Sequence, residues 1–271
     1  MQRLTKTEET LRKLGCRYER QEKGRIVVPG SMDLSHSKLT ELPDLSLVTI
    51  EGDFSCDGNQ LTSLKGAPRA VTGDFSCSAN QLTSLEGAPA DIGKNFLCVN
   101  NQLVSLKGGP VTVGGDFSCH GNQLTTLLGA PYRVGGFYCA HNNLTSLEGG
   151  PATVRRQYNC EHNQLTSLKG APGTLEGSFN CAGNQLVSLE GGPYWVLHFD
   201  CQNNPLSTLE NAPGAFTSLY SDFGKFFSWQ QIPEHLRVSP HTCAMLEDAE
   251  YRAATELLRP AKAMRPLKLK M

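Results

Sequence analysis

His120, His141, Glu161 and His162 are the residues of this chain whose types and spacing could carry acid–base or metal chemistry. The three histidines are evenly spaced, so a chain wound in turns of that length would bring the imidazoles together. Neighbouring imidazoles beside a carboxylate could share a divalent metal or act as a proton donor and acceptor. Facing a partner, the same rings would be ordinary polar contacts. No nucleophile, oxyanion-donor set or phosphate-cradling loop accompanies them, and the glycines keep the repeat period and precede proline or strand, as turn residues do. Neither an enzymatic role nor a cofactor or metal is therefore expected.

Cysteine is the other reactive side chain with a spacing. Eight of the ten cysteines (Cys56, Cys77, Cys98, Cys119, Cys139, Cys160, Cys181 and Cys201) recur with a nearly constant period, one position shorter at Cys139 and at Cys201 than elsewhere. They lack the close Cys-x-x-Cys pairs of zinc sites. One cysteine per turn would stack at the roughly 4.8 Å separation of strands, all approaching from one side, which suits the dihedral of a disulfide poorly. Reduced thiols packed as small apolar groups are expected. A persistently oxidising compartment would endanger such a column.

The elements that position these residues are copies of one phrase. It reads Phe54-Ser-Cys56, Asn59, Leu61, Leu64, Pro68, then Phe75-Ser-Cys77, Asn80, Leu82, Leu85, Pro89. A fixed period of this length marks a solenoid. Phe and Cys, two apart, share one face of a short strand. Leu61, Leu64 and the valine or leucine three places after each proline (Val71, Val113, Val134, Val154, Leu175, Val196) complete the lining of each turn. Asn59, Asn80, Asn101, Asn122, Asn142, Asn163, Asn184 and Asn204 miss no turn. A side-chain amide there can satisfy backbone groups of its own turn and an adjacent one. Lys65, Glu86, Lys107, Leu128, Glu148, Lys169 and Glu190 form an outer column that mostly alternates in sign.

This pattern, hydrophobic-x-hydrophobic-x-x-Asn-x-Leu over about residues 32 to 222, resembles the leucine-rich repeat. The short period and the Leu-x-Gly-Ala/Gly-Pro ending are similar to the bacterial and phage type, found in secreted effectors such as YopM and the IpaH ubiquitin ligases. The resemblance implies a parallel β coil with short strands and mostly non-helical return segments, binding protein through a concave strand face. The return segments depart from the family by ending in Gly-Ala-Pro or Gly-Gly-Pro, and no ligase-sized domain follows, so ligase activity is not implied.

A solenoid must close its ends. Residues 1–30 are expected to form an N-terminal cap. A helix would start at the Thr5/Glu8 capping box, with Leu4, Leu11 and Leu14 on one face and Gly15 as its stop, and a hairpin would follow. About nine coils would occupy residues 31–222, with Ser37 in the asparagine place of a degenerate first coil. Residues 223–258 are expected to cap the other end, with a helix from about Thr242 to Leu258, and 259–271 form a basic tail. The rings of Phe216, Tyr220, Phe223, Phe226, Phe227 and Trp229 read as a plug over the last coil or as a second binding surface.

The 271 residues carry a formal charge of −1 and a hydrophobic fraction of 39%. Charge balance gives no electrostatic mandate for nucleic acid or membrane. The charged N-terminus is no signal peptide and no apolar run spans a bilayer, so a cytoplasmic location in the producing or an infected cell is expected. The partner should be a protein and the chain a monomer. The expected binding face comprises His120, Tyr138, His141, Gln157, Asn159, Glu161, His162, Asn180, His198, Asp200 and Gln202, residues that vary over a fixed frame. Two rivals remain: a metal-dependent or acid–base enzyme on the histidines, and a nucleic-acid binder using the tail and Arg155-Arg156.

Overall fold

A computed structural model describes residues 5–21 and 24–237. The chain winds as a parallel β-solenoid of about nine turns. The Phe-x-Cys segments form a long sheet of eleven strands, running from Met32–Asp33 at one edge to Gly224–Phe226 at the other. Its inner strands are in strict register, Phe54 beside Phe75 and Phe75 beside Phe96. The residues after each proline also pair from turn to turn. Val48–Ile50, Ala70–Val71, Asp91–Ile92 and Thr112–Val113 extend a six-stranded side sheet begun by the N-terminal hairpin, and Arg133–Val134 pairs with Thr153–Val154 separately. The return segment was expected to line the core, and it does so as a strand: Val71, Ile92, Val113 and Val134 are all buried.

Three side-chain columns hold the turns together. The rings of Phe54, Phe75, Phe96, Phe117, Phe137, Tyr158, Phe179 and Phe199 form an unbroken stack in which neighbouring centroids lie 5.1 to 5.7 Å apart. The eight cysteines are fully buried free thiols, and their burial pushes the thiol pKa values up. Several thiols donate to a carbonyl of the following turn, as Cys56 Sγ does to Ser76 O at 3.4 Å.

The asparagines form the third column. Asn122 Nδ2 donates to Cys98 O and Cys119 O, each at 3.0 Å, while its Oδ1 accepts from Leu103 N at 3.0 Å. One amide thus satisfies its own turn and the preceding one, and the pattern repeats from Asn59 to Asn204. Ser37 stands in register with Asn59, whose Oδ1 accepts its backbone N–H at 3.0 Å.

At the N-terminus a helix and a hairpin precede the first turns. Helix α1, Lys6–Lys13, starts at a full Thr5/Glu8 capping box and buries Leu11 against the first turns. Arg20, on the hairpin strand Glu19–Arg20, donates to Glu8 Oε2 at 2.6 Å and ties the helix down. Its hydrogen bond is the main reason the Glu8 carboxyl is lowered to about 2. Leu14 departs from the expected stripe, being the C-cap residue and exposed. Leu4 lies outside the described residues.

At the far end, Gly224–Phe226 folds back antiparallel on Ser218–Ser221 and closes the long sheet. Phe226, Ile232 and Leu236 are buried, with Phe216 and Trp229 packed against them, so this part of the aromatic cluster is a plug. Phe223 and Phe227 are exposed and do not belong to it. The expected helix from Thr242 to Leu258 and the tail 259–271 lie outside the described residues.

Candidate polar face of the long sheet

Alternation along each strand sends Phe and Cys inward and the residue between them outward. Parallel register then lines these outward residues up. Ser118, Tyr138, Asn159, Asn180, Asp200 and Tyr220 are successive neighbours in one row. Tyr138, Asn159, Asn180 and Asp200 are half-buried at their bases, and Gln157, Glu161 and Gln202 flank them. His198 is exposed, with Nδ1 at 2.8 Å from Ser218 Oγ.

Hydrogen bonds fix this row. Glu161 accepts from Asn159 Nδ2 at 3.1 Å through one oxygen and from Asn180 Nδ2 at 2.7 Å through the other. Asn159 Oδ1 accepts the Glu161 backbone N–H at 3.0 Å, and Asp200 Oδ1 accepts that of Gln202 at 3.0 Å. Burial raises the Asp200 carboxyl, and the charges of Glu161 and Asp222 raise it further against the opposing Gln202 bond. Burial likewise raises the Tyr138 hydroxyl, helped by Asp116 and opposed by Arg156.

The face has a marked charge asymmetry. Its three outward columns (before Phe, between Phe and Cys, after Cys) carry Asp33, Asp53, Asp57, Asp74, Asp116, Glu161, Asp200 and Asp222, and among the described residues their one lysine or arginine is Lys225, opposite Tyr220 on the closing strand. The whole chain holds 25 Lys and Arg against 26 Asp and Glu, so carboxylates are concentrated on this surface relative to cations. In the early turns the carboxylates also serve the frame: Asp53 accepts from Asp74 N at 2.8 Å and Asp74 from Asn95 N at 2.9 Å. That ladder ends at Asp116, which accepts from Gly136 N. Arg156 reaches back over the side-chain-free Gly135 to pair with Asp116 at 2.5 Å.

The histidines do not converge on one point. His141 and His162 leave the sheet in the left-handed region, with φ of +53° and +51°. Their rings stack face to face at 4.6 Å on the exposed edge. His120 stays on the sheet with Nδ1 at 3.4 Å from Ser118 Oγ, and burial, with the nearby His141, lowers its pKa. No group of three or more His, Cys, Asp or Glu residues among the described residues could hold a metal ion. A cleft beside Trp195, Phe216 and Trp229 lies at the C-terminal cap and includes none of these residues. No helix among the described residues is long and apolar enough to cross a membrane.

No protein-family model and no curated protein matches the chain. Tyr220 and Asp222, which extend the row by one turn, were missing from the expected face. One further period beyond Cys201 reaches Ser221, and the phrase around it has lost its Phe and its Asn, so the period alone carries the signal there. In sequence Arg156 stands out only as part of a basic pair, because its partner Asp116 lies two turns earlier in the chain.

Proposed function

We propose that this chain is a non-catalytic, monomeric binding scaffold whose long-sheet face receives a protein partner, on the pattern of bacterial and phage leucine-rich repeats that act as inhibitors, adaptors or effectors. The observation that carries this reading is the row from Tyr138 to Tyr220: unlike amide, carboxylate and phenol groups, held in register by a uniform core and pre-organised by hydrogen bonds. A rigid ring flanked by fixed polar groups loses little freedom on association and suits a contact hot spot. Free, buried thiols fit work in a reducing cytoplasm, of the producing or of a target cell.

Replacing Tyr138, Asn159 and Glu161 together by alanine tests it. Retention of the partner from natural-host lysate, followed by titration with that partner once purified, should weaken at least tenfold. The melting temperature should fall by a few degrees, since Asn159 and Glu161 bond each other and Glu161 also holds the Asn180 amide. The control replaces Lys65, Glu86 and Lys107 on the outer edge and should leave binding intact. Loss of binding in the control alone would move the interface off this face.

A further inference from the structure

We propose that the chain's own last residues, Pro260–Met271, occupy the late end of the long-sheet face when no partner is bound, so that a partner must displace them. The inference rests on the binding-face reading above and adds its regulation.

Among the described residues, the outward columns at the late end carry three carboxylates, Glu161, Asp200 and Asp222, against one cation, Lys225. Among the described residues, Glu161, Asp200 and Asp222 accept from neutral donors: the Asn159 and Asn180 amides and the backbone N–H groups of Gln202, Asn203 and Asn204. No cation among the described residues forms an ion pair with them, whereas Asp116 in the middle of the face has Arg156. Lys225, the nearest base of the closing strand, is turned over the Tyr220 ring at 4.4 Å. The upward shift of Asp200 reflects this repulsion in part, and an arriving cation would relieve it.

The segment with the complementary charge is in the chain itself. Pro260–Met271 carries Lys262, Arg265, Lys268 and Lys270 and no acidic residue. Lys268 and Lys270 alternate with Leu267, Leu269 and Met271 at the period that puts the charges of an extended segment on one side. Reach permits the contact. The described chain stops at Arg237, just past the strand that closes this end of the sheet, and positions 238–271 follow it. Glu161 to Asp222 spans three turns, about 15 Å at roughly 4.8 Å per strand, while twelve extended residues reach about 40 Å at roughly 3.3 Å each.

Zero-length carbodiimide coupling of the full-length protein at low salt, followed by peptide mass spectrometry, tests the contact directly. Lys268 or Lys270 should couple to Glu161, Asp200 or Asp222 within the monomer, and 0.5 M salt, where the Debye length is about 4 Å, should suppress the products at least fivefold, as exposed ion pairs require. Coupling spread evenly onto the outer-edge Glu86, Glu148 and Glu190, coupling found only between two copies, or no coupling would overturn the proposal. A second arm leaves the face untouched. In full-length protein carrying K262E, R265E, K268E and K270E, a synthetic peptide of residues 260–271 should bind at least tenfold more tightly than to the unchanged protein, because the native competitor is gone. Equal affinity would overturn the proposal too. Neither readout needs the partner, so the face can fail as a partner site while the tail contact stands, and the reverse.

Discussion

The early turns, Phe54 to Ser118, and the late turns, Phe137 to Tyr220, share one frame and differ at one corner. As far as Asn204, both keep the ring stack, the buried thiols and the asparagine bonds. In the early turns the side sheet is continuous, the outward residues are mostly serine, and the residue before Phe bonds the next turn. At Gly135-Gly136 the corner is one residue shorter, the ladder stops, and the side sheet breaks. Beyond it the two strands of a turn fuse into Thr174–Asn180 and Trp195–Asp200. The core therefore fixes the spacing of the turns, while the corner decides whether an outward side chain serves the frame or faces solvent.

Gly177 offers the hardest test of that division. It sits where the register shifts between Leu175 and Ser178, and the carbonyl oxygen of Arg156 occupies the place a Cβ would take. Since backbone cannot swing aside as a side-chain end can, Gly177→Ala should cost about 4 kcal/mol or more, read by urea unfolding. The early comparison is Gly121→Ala, whose Cβ would clash with the Asn100 side chain and touch backbone no closer than the Asn100 nitrogen at 3.6 Å, at a position where Ala79 already adopts φ +54°. There the loss should be about 1–2 kcal/mol, the cost of a left-handed residue with a Cβ. Similar losses at both sites would mean that the late corner is not specially constrained.

If the frame is common to both regions, the asparagines should be interchangeable. Asn122→Ala in the early region and Asn184→Ala in the late one each remove an amide that donates to two buried cysteine carbonyls, at 3.0 and 3.0 Å and at 3.1 and 3.0 Å. Each should cost about 1–3 kcal/mol, and the two values should agree to within about 0.5 kcal/mol. Because turns of a solenoid can open separately, hydrogen exchange of the adjoining strands is the better measure. A twofold disparity would break the equivalence of the two regions.

The parts of the fold that repeat were legible in the sequence, because each repeated residue reports the same contact eight times over. Phe54, Cys56, Asn59 and Leu61 announce strand, core and amide bridge together, and the Thr5/Glu8 box announces helix α1. What lay hidden depended on single events. The missing residue at Gly135-Gly136 reads only as one shortened interval, from Cys119 to Cys139, and nothing in that interval says that Arg156 would fill the gap. The face residues from Tyr138 to Gln202 could be named from alternation alone, but not their bonds. Whether Glu161 meets Asn180 depends on the lateral register of two strands, which the period fixes for the backbone and leaves open for side-chain rotamers. The histidines show the same limit: the period brought His141 beside His162, and a left-handed turn took both off the sheet.

Tyr158 gives the smallest expected effect and the only expected gain. It holds the phenylalanine place in the second late turn, one turn beyond the short corner, fully buried, with Oη lacking a hydrogen-bond partner among the described residues. Its ring is tilted 55° to Phe137, whereas the other pairs of the stack lie within 29°. The hydroxyl points at Gly150, where a Cβ would stand 2.9 Å from it, and the equivalent residues Ala67, Ala88, Ala130 and Ala171 show that this place otherwise accepts alanine. Tyr158→Phe removes an unpaired buried hydroxyl while keeping the ring, so it should stabilise the protein by about 1 kcal/mol. Gly150→Ala should cost stability beside the native Tyr158 and much less in the Tyr158→Phe background, a coupling that a double-mutant cycle in urea measures directly. If Tyr158→Phe instead lowers stability, the hydroxyl is bonded in solution, and the late turns differ from the early ones in their core as well as at their corner.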